Sequence, residues 1–223
     1  LRSFPSVGDV TTVTPASAQR VLRNTYALLG LTLAFSALIA GVAMTLNLPH
    51  PGILVTLAGF YGLFFLVNKT ANSGKGVLAV FALTGFMGYT LGPTLNAVMS
   101  MPGGSATITN ALAATAAAFL GLSAIALTTK RDFSFMGKFL MIGMLVAVAL
   151  GLGAIFFEVP ALSLAVSGMV VLLSCGLILF ETSRIVNGGE TNYVMATVGL
   201  FVTIYNLFSS LLMLFGLGGN SDD

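Results

Sequence analysis

Glu181 is the side chain in this sequence best placed to do chemistry. It follows directly on the apolar run Leu162 to Phe180, which is long enough to cross a bilayer. An ionisable group at that depth is costly and therefore marks function. Arg184 stands three residues later on the same helix face, within reach of an ion pair. The spacing supports two readings. One is an interfacial salt bridge between Glu181 and Arg184; the other is a gate carboxylate, whose protonation or contact with a cation loosens its hold on neighbouring helices. Further along, Ala196, Gly199, Thr203, Asn206 and Ser210 recur at alternating steps of three and four, which collects them into one small and polar stripe. Leu200, Ile204, Leu207, Phe208 and Leu211 fill the complementary positions. An Asn206 amide among acyl chains would be unsatisfied, so the stripe is expected to face protein or water inside a bundle.

Other chemistry finds little support. The sequence has no Cys-x-x-Cys, no His-Glu-x-x-His and no glycine-rich phosphate loop. Its one histidine, His50, lies between Pro49 and Pro51 with no carboxylate or cysteine beside it, and reads as a turn residue rather than a metal ligand. Its one cysteine, Cys175, cannot form an intramolecular disulfide and reads as packing. Glu158 reads as a solvated loop residue. A serine or aspartyl intramembrane protease needs a base or a second carboxylate at membrane depth, and no such dyad is present. The expectation is a protein that is not an enzyme, with no catalytic residues, no metal site and no cofactor.

The elements that must position Glu181 and the stripe follow from composition. Of 223 residues, 57% are hydrophobic and 7% are charged, against roughly 25% charged in soluble domains. Lipid is therefore the natural solvent. Seven apolar runs stand out: Tyr26 to Leu48, Gly52 to Val67, Val77 to Met99, Ala106 to Thr128, Phe139 to Phe157, Leu162 to Phe180 and Tyr193 to Phe215. They are separated by breakers such as Pro49-His50-Pro51, Pro102-Gly103-Gly104 and Asn187-Gly188-Gly189. All nine Lys and Arg fall before span one or after spans two, four and six, so every basic loop lies on one side. By the positive-inside rule the N-terminus is cytoplasmic and the C-terminus outside. The net charge of +2, with no basic patch, argues against nucleic acid. The domain reading is a disordered cytoplasmic tail over residues 1–23, a membrane domain over 24–216 with an uncleaved first span, and a short outer tail over 217–223.

Helices in lipid gain nothing hydrophobic by associating, so their contact faces favour small residues. Gly88 and Gly92 in span three, and Ala113, Ala117 and Gly121 in span four, are expected packing seams. Gly92-Pro93 is a candidate hinge, because proline removes a helical hydrogen bond.

Three segments carry a family resemblance. They are Phe180-Glu181-Thr182-Ser183-Arg184-Ile185, then Gly188-Gly189-Glu190-Thr191-Asn192-Tyr193, then Tyr205-Asn206-Leu207-Phe208. Together with Lys130-Arg131-Asp132-Phe133-Ser134-Phe135, they resemble the Bax inhibitor-1 family. Val21-Leu22-Arg23-Asn24-Thr25-Tyr26 and Lys69-Thr70-Ala71-Asn72 are most similar to its bacterial inner-membrane branch, typified by YccA. The resemblance implies an all-α fold of seven transmembrane helices with the last helix enclosed by the other six. Members of the calcium-leak type pair two aspartates across the last two helices as a pH-sensitive latch. The first of those positions falls here on Glu181 and the second on Thr203, so the pair of acids is incomplete. The YccA branch instead resembles modulators of the membrane AAA protease FtsH. For such a role the resemblance points to an FtsH-type partner in the inner membrane, with the N-terminal segment carrying Arg2, Arg20 and Arg23 as the end a protease engages. The alternative is a calcium or proton leak through Glu181, Arg184, Thr203 and Asn206.

Overall fold

The structure, a computed structural model, describes residues 15–129 and 131–218. Among the described residues seven helices follow one another: α1 (Pro15–Thr45), α2 (Ile53–Thr70), α3 (Lys75–Met99), α4 (Gly104–Thr129), α5 (Gly137–Phe156), α6 (Pro160–Val186) and α7 (Tyr193–Gly218), with a short 3-10 turn at Ser134–Met136 before α5. All seven are long and apolar enough to cross a membrane. A backbone in hydrocarbon must bond to itself, and the helix does so within one segment.

Helix lengths explain one difference from the sequence reading. At 31 residues α1 is about 46 Å long, well beyond the ~30 Å of a hydrocarbon core. Its first turns, with Arg20 and Arg23 exposed, are helical although they are polar. Of the tail expected over 1–23, residues 15–23 are thus helix, and 1–14, including Arg2, lie outside the described residues. The expected outer tail shortens in the same way, because α7 continues to Gly218.

Polar side chains tie together the ends that carry the basic residues. Asn192, before α7, donates from Nδ2 to the Ala71 carbonyl at 3.2 Å and to Asn72 Oδ1 at 2.8 Å in the α2–α3 turn. Its Oδ1 accepts the N–H groups of Val194 and Met195 and so caps α7. Ser183 of α6 donates to the Arg131 carbonyl at 2.8 Å and accepts the Phe133 N–H at 3.2 Å, which pins the α4–α5 loop. At the opposite end Asn96 donates to the Met44 carbonyl, and the Tyr89 hydroxyl to the Pro49 carbonyl.

Two helices form the centre. In their most apolar windows, 56% of α3 and 50% of α7 is buried, against 6% of α2 and 17% of α5. The expected seam on α3 is real: a Cβ on Gly88 would overlap the Ser36 carbonyl of α1, and one on Gly92 would meet the Ala40 carbonyl at 3.1 Å. Gly92 therefore lets α1 and α3 cross closely, and α3 continues as one helix through Pro93 to Met99. The seam expected on α4 faces the other way. Ala113, Ala117 and Gly121 are exposed, while Ala111, Thr115, Ser123 and Ala126 are buried against the bundle. Spacing alone cannot separate these two faces of a helix whose residues are mostly small.

α7 is packed by α1, α3, α4 and α6, and more lightly by α2. Helix α5 leans on α6 and reaches the 3-10 turn but makes no close backbone approach to α7 or α2. It faces α7 across a cavity. That cavity holds the candidate site.

Candidate functional site

The turn from α6 to α7 is built by Gly188. Its φ of 75° is left-handed, a conformation glycine adopts without strain. The Gly188 N–H bonds the Ile185 carbonyl and the Gly189 N–H bonds the Arg184 carbonyl, a Schellman cap that closes α6. The chain then doubles back and brings Glu190 to Arg184. Their ion pair spans 3.2 Å between Arg184 and Glu190 Oε2, and the guanidinium also lies 5.5 Å from the Phe180 ring centroid. The partner of Arg184 is therefore Glu190, not the Glu181 that helical spacing suggests. Helix spacing reports neighbours within a helix, and this neighbour comes from beyond its end.

Glu181 turns instead toward α7. Thr203 donates from Oγ1 to Glu181 Oε2 at 3.1 Å. The other oxygen lies where α7 has no side chain, since a Cβ on Gly199 would sit 2.8 Å from Glu181 Oε1. Gly199 is thus a socket for the carboxylate. Four of the five stripe positions on α7 face as expected: Ala196, Gly199, Thr203 and Asn206 line the cavity together with Glu181, while Ser210 lies outside its lining. Leu200, Ile204, Leu207 and Phe208, on the other side of the helix, are buried in the packed core. Among the described residues the Asn206 amide has no protein hydrogen-bond partner. Above it the Tyr205 hydroxyl lies 3.1 Å from Thr90 Oγ1 of α3.

The cavity has a volume of about 860 Å³. Its inner wall carries Glu181, Thr203, Tyr205, Asn206 and Thr90, and its outer walls are apolar, with Phe60 and Phe64 from α2 and Met141 and Met144 from α5. Arg184 and Glu190 line the end nearest the basic loops. Chemically this is the Glu181 carboxyl and the Asn206 carboxamide in an apolar cleft, with the Arg184–Glu190 ion pair at one end, which is a binding arrangement. Among the described residues no three His, Cys, Asp or Glu side chains gather as a metal would require.

The remaining candidates are dispersed. His50 accepts the Gly52 N–H at Nδ1 in the α1–α2 turn, and Glu158 is exposed in the left-handed turn after α5. Cys175 is half-buried in α6. Gly92 and Pro93 belong to the α1–α3 crossing. Arg20 and Arg23 lie on α1, outside the cavity. The sequence reading missed Tyr205 with Thr90, and it missed Asn192 as a clamp, although a polar residue just ahead of an apolar run is a capping signal. In the α4–α5 loop Asp132 accepts the Ser134 N–H at 2.8 Å, and the Ser134 hydroxyl together with that N–H holds its exposed carboxyl below the usual carboxylate range.

Comparison with known proteins adds the following. The family model described as "Inhibitor of apoptosis-promoting Bax1" matches residues 18–221. The Pseudomonas aeruginosa protein PA2604 is 54% identical over 202 residues, covering 91% of each chain. The Escherichia coli protein named "Modulator of FtsH protease YccA" is 52% identical over 200 residues, covering 90% of this chain and 91% of its own. A Vibrio cholerae membrane protein is 44% identical over 204 residues, covering 91% and 92%.

Proposed function

This chain belongs to the Bax inhibitor-1 family, and from that premise we propose that it is a non-enzymatic, multi-pass inner-membrane regulator that binds an FtsH-type protease and restrains its attack on other membrane proteins. The observation that carries this reading is the 52% identity, over nearly the full length of both chains, to a protein named as a modulator of that protease. The fold supports it. Four residues in the runs that mark the family act as clamps: Asn192 joins α7 to the α2–α3 turn, Ser183 joins α6 to the α4–α5 loop, Gly188 closes α6, and Asp132 holds the Ser134 N–H at the start of the 3-10 turn. A regulator of an unfoldase needs a body that resists extraction, and these clamps lie at the end that the positive-inside rule assigns to the cytoplasm, where the protease would act.

The test is reconstitution. FtsH-type protease, a membrane substrate and this chain are combined in proteoliposomes. The expected result is slower substrate degradation and copurification of the chain with the protease. Degradation at an unchanged rate, with no copurification, would overturn the reading. Deleting residues 2–14 is expected to change the chain's own turnover by the protease, and an unchanged lifetime would remove that segment from the account.

A second reading is a cation leak for calcium or protons. It is favoured by one observation: Glu181 and Asn206 share a cavity in which Asn206 lacks a protein partner. Liposomes holding the purified chain and a calcium dye, with no protease present, separate the two readings. Flux that disappears in Glu181→Gln supports the leak; flux no greater than in empty liposomes refutes it.

A further inference from the structure

The cavity opens sideways. Tyr61 of α2, and Met141, Leu145 and Val148 of α5, line it yet are exposed on the outer surface, as Leu57 of α2 is in part. Helices α2 and α5 make no close backbone approach to each other, so the gap between them is a mouth. Both flanks of that mouth lie in apolar spans, and hydrocarbon is what it faces.

The mouth and the inner wall differ in kind. An occupant entering from the bilayer meets Phe, Met and Leu first, and only then Glu181, Thr203 and Asn206. It must therefore be an amphiphile, apolar behind and polar in front. The volume of about 860 Å³ falls in the range of roughly 300–1,000 Å³ typical of small-molecule sites, which suits a single chain. Met87, Met141, Met144 and Met195 line the cavity, and flexible thioethers tolerate chains of different shape.

The polar wall selects the head. Glu190 is neutralised by Arg184, whose guanidinium also reaches the Gly189 carbonyl. Glu181 is left with Thr203 as its hydrogen-bond partner among the described residues, and the Asn206 carboxamide, which both accepts and donates, has none. The Glu181 carboxyl and the Asn206 carbonyl oxygen supply two acceptors side by side on this wall. A phosphate or carboxylate head would set its own acceptor oxygens against those of Glu181, whereas an ammonium has three donors and no acceptor. Charge-assisted bonds of this kind are about twice as strong as neutral ones.

We propose that the cleft is a binding site for a single-chain primary amine, with the ammonium held by Glu181 and Asn206 and the chain leaving through the gap between α2 and α5. The site would couple an amphiphile dissolved in the membrane to the packing of α6 against α7. It stands independently of the protease reading, because binding is measured on this chain alone.

The experiment uses the full chain in lipid nanodiscs and dodecylamine carrying a photoreactive diazirine in mid-chain. The expected result is saturable labelling confined to peptides from α2 and α5. Unlabelled dodecylamine should compete about tenfold better than dodecanol, the effect of roughly one charge-assisted bond. In Glu181→Gln that preference should fall to near unity. Asn206→Leu, which keeps the carboxylate, should weaken labelling several-fold and covers the case in which the glutamine variant fails to fold. Labelling that does not saturate, or that spreads evenly over the lipid-facing helices, would overturn the proposal. So would equal competition by amine and alcohol in the unmodified chain.

Discussion

The clamp at Asn192 makes a quantitative prediction. Its carboxamide does two separable things. Oδ1 caps α7 through the Val194 and Met195 N–H groups at 2.9 and 3.2 Å, while Nδ2 reaches the Ala71 carbonyl and Asn72 Oδ1 on the α2–α3 turn. Asn192→Ala removes both functions. A lost N-cap costs about 1 kcal/mol, and two lost hydrogen bonds that are partly exposed cost about 0.5–1 kcal/mol each, for a total of roughly 2–3 kcal/mol. Asn192→Asp keeps an acceptor for the cap but has no donor for the Ala71 carbonyl, while the Asn72 amide can turn to donate to the new carboxylate. Its loss should be about half as large. For a chain of this size 1 kcal/mol corresponds to about 2–4 °C in Tm, so the alanine variant should melt roughly 4–12 °C lower and the aspartate variant in between. The assay is thermal unfolding of purified protein in detergent, followed by size-exclusion fluorescence. An alanine variant that melts with the unmodified protein would refute the clamp. An aspartate variant less stable than alanine would refute the division into cap and tether.

Three further outcomes are expected. Gly88→Ala should destabilise by about 1–3 kcal/mol, because its Cβ overlaps the Ser36 carbonyl and the α1–α3 crossing must open; Gly121→Ala, which meets nothing within 4 Å, should stay within about 0.5 kcal/mol in the same melting assay. Ser183→Ala frees the Phe133 N–H and leaves the Arg131 carbonyl only the 3.4 Å bond from Asn187, so limited trypsin digestion should cut after Arg131 several times faster with the fold otherwise intact. Asp132 has a lowered pKa in the folded chain, so the stability from its bonds to Ser134 is present above the unfolded value near ~3.9 and is lost as pH falls through the folded one. Hydrogen exchange at the Ser134 amide, normalised to its intrinsic rate, should therefore lose protection only in that acidic window, and Asp132→Ala should remove protection at neutral pH.

Much of the architecture was legible because lipid imposes simple rules. Apolar run length and the one-sided placement of Lys and Arg are read directly from the chain, and they give seven spans. The stripe from Ala196 to Asn206 was legible for the same reason, since an amide in hydrocarbon has few places to go. The start of α1 was not, because hydropathy is silent about a polar helix that extends beyond the bilayer. A helix-start signal was nevertheless present, as Pro15 occupies the first helical position and alanines follow. The face of α4 was misread because small residues at a spacing of four occur on both its sides, and burial of Ala111 and Thr115 decides between them. The Arg184–Glu190 pair needed the Gly188 turn, which joins residues that no helical period relates. The meeting of Glu181 with Gly199 and Thr203 required knowing that α6 and α7 lie side by side.

The crossing of α1 and α3 also has a mechanical consequence. A pull applied at the N-terminal end is carried along α1, and α1 is the helix whose Ser36 carbonyl lies against Gly88 and whose Ala40 carbonyl and Ala43 methyl lie against Gly92. It also touches α6 and α7. The first described helix to bear load is therefore one keyed closely against central α3, and it must slide past α3 before that crossing opens. A bundle that began with a peripheral helix such as α2 could be unthreaded one span at a time. This one presents its greatest mechanical resistance at the first step, so a motor working from that end either stalls early or extracts the whole molecule.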